Sequence, residues 1–177
     1  MWLNCNYAET RELIAEFNGH PEIWPYFKPL PGAQEGVKRL ANAGYKFVAI
    51  TACDQDEWTH TNRFNNLRTA FGDVFDTLHC VGLGGSKNEY LARYRHTFWV
   101  EDNWSHAIHG AELGHKSFLV DYKHSRHHVD QRITRVSNWK DIADHILNQP
   151  VVDPLSHVKD ILRASGITEE AIEKASR

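Results

Sequence analysis

Phe98-Trp99-Val100-Glu101-Asp102-Asn103 is an apolar run that stops at two adjacent acids and a turn residue. A short apolar run bounded in this way reads as a buried strand of an α/β sheet. In such sheets ligands sit in the crevice beyond the carboxyl ends of the strands, where Glu101 and Asp102 would lie. Neighbouring carboxylates repel each other unless a cation or a bound proton offsets the charge. Their hard oxygens, and the phosphate chemistry common at such crevices, make Mg²⁺ the natural candidate. The plainer reading of the same residues is a strand that ends in a solvated acidic turn.

The flanking sequence repeats a helix–glycine–strand step, the unit of a parallel sheet. Upstream, Pro31-Gly32 opens a helix with Val37 and Leu40 on its inner face, Gly44 closes it, and Tyr45–Thr51 follows as a buried strand. Helical spacing from about Asp56 to Ala70 puts Phe64, Leu67 and Phe71 on a core face, and a strand is expected around Thr77–Val81. After Gly82-Leu83-Gly84-Gly85, Ser86 reads as the N-cap of a helix through Tyr94. Downstream come a helix from Ser105 to Leu113, Gly114 as its stop, and a strand from Lys116 to Val120. Asp121–Arg135 reads as a polar, basic stretch, and Trp139–Leu147 as a helix. At the start, Ala8–Phe17 shows helical spacing with Leu13, Ile14 and Phe17 on one face, and the proline-rich His20–Pro31 reads as a stiff, irregular connection. Pro150 and Pro154 mark a boundary before helices near Leu155–Ala164 and Glu169–Ala175.

Composition bounds the function. The chain has 177 residues, 41% of them hydrophobic and 24% charged, enough for one α/β domain with a proper core. A net charge of −3 gives no global basic field for nucleic acid or membrane, so any such binding would be local. Cys5, Cys53 and Cys80 show neither zinc spacing nor a disulfide framework, which fits a reducing compartment. No apolar stretch approaches the roughly 20 residues of a membrane span, and no leader pattern opens the sequence. A cytoplasmic protein without membrane partners is expected.

Thr51, Lys87 and Glu101-Asp102 fall at or just beyond the ends of successive expected strands. A hydroxyl, an amine and a carboxylate pair are what a phosphoryl group and its metal require. Their order resembles the haloacid dehalogenase-like superfamily of phosphohydrolases, nucleotidase branch. Pro31–Leu40 with Ala43–Lys46 resembles the helix ahead of that family's second motif, and Phe47-Val48-Ala49-Ile50-Thr51 resembles the motif itself. Gly85-Ser86-Lys87-Asn88-Glu89-Tyr90-Leu91 is similar to the third, Trp99-Val100-Glu101-Asp102-Asn103 to the acidic fourth, and Gly114–Asp121 to the glycine-strand after it. The resemblance covers roughly residues 30 to 121.

It implies a three-layer α/β/α, Rossmann-like domain over residues 1–147, with a minimal cap at about 8–29 and a helical C-terminal extension at 150–177. It further implies Mg²⁺ held by Asp102 with Glu101 beside it. Thr51, Ala52 and Lys87 would hold the phosphate of a phosphorylated small molecule, a nucleotide above all. The family's first motif is Asp-x-Asp, a nucleophile and a general acid/base. Here Leu3-Asn4-Cys5-Asn6 puts Asn4 and Asn6 at those positions. An amide is a poor nucleophile and shuttles no proton, so phospho-aspartate turnover would be crippled. The other reading is that Asn-x-Asn is coincidental and the first strand lies outside this sequence. Asp54-Gln55-Asp56 is Asp-x-Asp in letters, but it follows Thr51 closely and reads better as a helix-capping loop.

Three functions follow from this reading. The first is a Mg²⁺-dependent nucleotidase-like phosphatase, silenced if asparagines stand at the nucleophile positions. The second is a catalytically inactive binding or interaction protein of the same fold. The third is a phosphatase acting on nucleic-acid ends, for which the small cap leaves room and Trp24, Tyr26 and Phe27 offer stacking surfaces. The His124-Ser125-Arg126-His127-His128 cluster, with Lys123 and Arg132, reads either as a phosphate-contacting loop or as a solvated one.

Overall fold

Alternation of side chains along the strands sets the layers. In the computed structural model, which describes residues 6–148, 162–168 and 171, Phe47–Ala52 (β1) pairs in parallel with Phe75–Val81 (β2). Phe98–Glu101 (β3), Lys116–Val120 (β4) and Ile133–Val136 (β5) form a second parallel sheet in the order β3-β4-β5. On one face Phe47, Phe98, Val100, Phe118 and Val120 meet Leu40 of helix α2 (Ala33–Asn42) and Ile142, Ala143 and Ile146 of α6 (Trp139–Leu147). Farther along the same face, Ala49, Leu78 and Cys80 meet Phe64 and Leu67 of α3 (Glu57–Phe71). On the opposite face Val48, Ile50, Val81 and Trp99 pack with Leu91 of α4 (Asn88–Leu91) and with Leu113, just after α5 (Trp104–Glu112). The result is three layers, α/β/α, with every described strand parallel to its neighbour.

Ahead of the sheets, α1 (Tyr7–Asn18) and a 3-10 helix over Pro21–Tyr26 occupy the short insert. Pro21 opens that helix because its missing N–H is unneeded there, so the proline-rich connection is partly regular. Leu13 and Phe17, read as lying on one face of the first helix, are exposed. Phe17 instead meets the rings of Trp24 and Phe27. Trp24 is buried against Cys53 and Leu78.

Three local differences from the sequence reading have clear causes. The most buried residues of α3 are Thr59, Asn62 and Asn66, a polar strip, while Phe64, Leu67 and Phe71 are half-buried. The strip is tolerated because its groups are bonded: the Asn66 amide donates to the Trp24 carbonyl at 2.6 Å and the Asn62 amide to the Trp58 carbonyl at 3.0 Å. The helix after Ser86 stops at Leu91, although Ser86 Oγ does accept the Asn88 N–H at 3.2 Å. At the end of the stretch read as polar and basic, Ile133–Val136 is a strand, paired with β4.

The chain divides into two compact units, Met1–Leu147 and Asn148–Arg177. Of the second, Leu162–Ala164 are helical and Gly166, at φ 79°, ends the turn. The rest of the two helices expected there lies outside the described residues.

Helix α2 is held at close range to α6. A Cβ added to Gly36 would stand 2.5 Å from the carbonyl oxygen of Trp139, a backbone atom that cannot rotate away. Gly36→Ala is expected to lower stability by about 1–3 kcal/mol, read as a drop in the denaturation midpoint with unchanged m-value.

Candidate functional site

A cleft of about 470 Å³ lies between β1 and β3. Apolar side chains from both strands line its length, including Val48, Ile50, Phe98 and Val100. At the carboxyl ends of the strands the lining turns polar: Thr51, Lys87, Glu101 and Asp102 all face it. The structure therefore brings four of the sequence-derived site residues together, at the place the sheet topology favours for ligands.

Lys87 reaches the cleft because the preceding glycines turn tightly. The Gly85 N–H donates to the Gly82 carbonyl at 2.7 Å, and Gly84 sits at φ 79°, where a side chain would be strained. From there Lys87 Nζ donates to Glu101 Oε1 at 2.6 Å and lies 5.7 Å from the centre of the Trp99 ring. The pair is sunk in the fold, with side-chain exposures of 13% and 4%. Burial holds the Glu101 carboxyl above the ordinary 4.5 of a glutamate; the Lys87 ammonium opposes that shift and the neighbouring Asp102 charge adds to it. An ammonium has three donors, and one is spent on Glu101.

Asp102 is exposed at the cleft mouth. The next residue, Asn103, starts α5 by accepting the Ser105 N–H at 2.8 Å. Ala52 is exposed at the end of β1. Asn6 stands elsewhere in the local structure, as the cap of α1. Its side-chain oxygen accepts the Glu9 N–H at 3.0 Å, while its own N–H donates to Glu9 Oε2 at 2.7 Å, a reciprocal capping box. Asn4 lies outside the described residues. Asp56 caps α3 by accepting the Thr59 N–H at 2.9 Å, as its loop reading required.

Sequence reasoning missed Arg63. It lies in α3, half-buried, and its side chain lines the cleft with Thr51 and Lys87. It donates to Asn66 Oδ1 at 3.2 Å and sits 5.6 Å from the Trp24 ring centre. Among the described residues it forms no ion pair with a carboxylate. Burial lowers its pKa, though a guanidinium stays charged at any working pH. An arginine in a helix reads from sequence as solvated, so only the fold reveals it.

A metal fits this donor set poorly. Among the described residues no three His, Cys, Asp or Glu side chains converge on a point. Glu101 is committed to Lys87, which leaves Asp102 as the available carboxylate among the described residues lining the cleft. Mg²⁺ usually takes one or two carboxylates together with phosphate oxygens and water. Asp102 by itself does not build a resident site.

The basic segment after β4 is tied up internally. Arg126 pairs with Asp121 at 3.0 Å. Arg135 donates to Asp121, to the Ser125 hydroxyl and to the Ser125 and His128 carbonyls at 2.9–3.2 Å. His128 stacks on Trp104, the ring centres 4.9 Å apart. Cys53 and Cys80 are both buried and free. Hydrogen bonding from Cys53 lowers the Cys80 thiol to about 7, while the same contact and burial push Cys53 up.

No protein-family model matches the chain, and no curated protein matches it. A solved structure does: D,D-heptose 1,7-bisphosphate phosphatase from Burkholderia thailandensis superposes with a TM-score of 0.53. The match covers 68% of this chain and 86% of that one at 20% sequence identity. At that identity the likeness is one of fold: this chain has the parallel-sheet, helix-flanked architecture on which that phosphatase is built.

Proposed function

We propose that the cleft binds a phosphorylated small molecule, with a nucleoside monophosphate as the leading candidate, on a haloacid dehalogenase-like phosphatase frame. The supporting observation is that two cations, Lys87 and Arg63, line one cleft with the Thr51 hydroxyl. Lys87 keeps two donors after bonding Glu101, and Arg63 keeps most of its five. A dianionic phosphate supplies the acceptors that these groups lack. The fold shared with a sugar-bisphosphate phosphatase agrees with that ligand class.

Hydrolysis asks for more. Asn4 and Asn6 carry amides where the resemblance calls for a nucleophile and a proton shuttle. In this reading the chain holds its phosphorylated ligand and turns it over poorly or not at all. Asp102 is the carboxylate that a Mg²⁺ arriving with the phosphate would meet.

The test is a panel of nucleoside monophosphates, each measured with and without Mg²⁺. The unaltered protein should be stabilised by about 2.7 kcal/mol at a ligand concentration 100 times Kd, with no phosphate released. Asn4→Asp/Asn6→Asp should release phosphate, and Asp102→Ala in that background should abolish the gain. Absence of both ligand stabilisation and turnover in every form sinks the proposal. Robust turnover by the unaltered chain would instead make it an active phosphatase.

Lys87 has a structural share that must be separated from binding. Lys87→Met strands the Glu101 charge and should cost about 3–5 kcal/mol of stability. Adding Glu101→Gln should recover most of that loss without restoring the ligand-induced shift. Glu101 also predicts a pH slope. Its folded pKa lies above the ordinary 4.5, so the folded state holds the proton more tightly than the unfolded chain. Stability is therefore fullest below that value and falls as the pH rises through the raised folded pKa. Denaturation midpoints across that window should show the decline, and Glu101→Gln should flatten it.

A further inference from the structure

Cys53 and Cys80 take no part in the cleft reading, yet the fold brings them together. Cys80 of β2 lies in register with Thr51 of β1. In the bend after β1, the Cys53 N–H donates to the Val81 carbonyl at 2.9 Å. Both side chains enter one buried cluster with Trp24 and Leu78, against Phe64 and Leu67 of α3. The sulfurs are near enough to share a hydrogen bond, with the Cys53 thiol as donor. The charges that face them are mixed. Arg63 acts on both sulfurs and His60 on Cys80, each favouring a thiolate; Asp54 disfavours one at Cys53 and Asp56 at Cys80. Arg63 forms no ion pair with a carboxylate among the described residues, so a thiolate here is the anion it meets. A buried cysteine alone is inert, whereas a thiolate held by a second thiol and faced by a guanidinium is a nucleophile.

We propose that Cys53 and Cys80 are a redox site, a dithiol that hydrogen peroxide closes to a disulfide between the end of β1 and β2. Burial selects the oxidant. Cys80 is 8% exposed and Cys53 2%, in a cluster with Trp24, so a reagent the size of water reaches sulfur where a bulky disulfide is kept out. The Cys80 thiolate attacks one peroxide oxygen, the O–O bond breaks, and the departing hydroxide takes up the proton that Cys80 had released, leaving as water. Cys80 is then a sulfenic acid, oxidised by two electrons. Cys53 gives up its proton and attacks Cys80 Sγ; the S–S bond forms, the S–O bond breaks, and hydroxide leaves with that proton as a second water. Two thiols and one hydrogen peroxide thus give one disulfide and two waters. Because Cys53 lies in a bend, closing the bond adjusts a loop and leaves the β1–β2 ladder in place. Oxidation also removes the anion facing Arg63, which lines the cleft. The inference stands apart from the phosphate reading, because its test involves no ligand.

The experiment treats the full chain with a small excess of hydrogen peroxide, alkylates the remaining thiols, and identifies unreduced peptides by mass spectrometry. A Cys53–Cys80 linked peptide that dithiothreitol releases is expected, with both thiols lost together. The rate of its formation should rise about tenfold per pH unit below about 7 and level off above, following the Cys80 thiolate. Cys5→Ser should leave that rate unchanged, and Cys53→Ala should stop at a Cys80 sulfenic acid that dimedone traps. Cys53 and Cys80 still open to alkylation after peroxide overturn the inference. So does a link that runs through Cys5, a sulfinic acid in place of the link, or a rate flat across that pH range. If Cys53→Ala fails to fold, the unaltered chain and Cys5→Ser still decide between these outcomes.

Discussion

The contact between Lys87 and Glu101 constrains the rest of the site. It joins a lysine placed by a glycine turn after β2 to an acid at the end of β3, and so ties one sheet to the other at the cleft mouth. Burying a carboxylate costs more than one salt bridge returns unless geometry and hydrogen bonding are favourable. A pair kept at this position is therefore poor evidence for stability and better evidence for a charge that must stand at one point. Glu101 fixes the ammonium at the cleft that Thr51 and Arg63 also line.

Much of this architecture was legible in the letters. Phe98–Glu101 and Phe47–Thr51 announce themselves as strands by unbroken apolar character, and Gly44 and Gly114 mark where helices give way to strands. The site residues at strand ends followed from that periodicity, and Thr51, Lys87, Glu101 and Asp102 do line one cleft. What escaped notice shares a cause. Arg135 sits in the middle of β5, Asn62 and Asn66 sit on the buried strip of α3, and Arg63 lines the cleft. Each is a polar residue whose burial is made tolerable by a polar or ring partner, Trp24 for Asn66 and Arg63, Asp121 for Arg135 and the Trp58 carbonyl for Asn62, and apolar periodicity reveals none of these. The Lys87–Glu101 pair was equally hidden, since both residues read singly as ligands for something else.

The apolar and polar halves of the cleft carry different meanings. The polar end has the charges and hydroxyl that a phosphate recognises, while the apolar length has strand edges on either side and a helix above it. Treating the whole as a single ligand pocket would ask a small anion to cover Val48, Ile50, Phe98 and Val100, which it cannot do. Dividing it lets each half be matched to what its chemistry attracts.

The approach of Gly36 to the Trp139 carbonyl has a consequence for how the molecule comes apart. Among the described residues no ladder of backbone hydrogen bonds crosses from β1 to β3, so the α2–α6 seam and the side-chain clusters carry much of the mechanical coupling between the two halves. The β1–α3–β2 segment and the β3–α5–β4–β5 segment are each contiguous in sequence, and among the described residues their strands pair only within each segment. Helix α2 packs on both α3 and α6, so the close contact at Gly36 couples the first of these segments to the helix that follows the second. A methyl group at Gly36 would therefore be felt in both segments rather than in one helix alone.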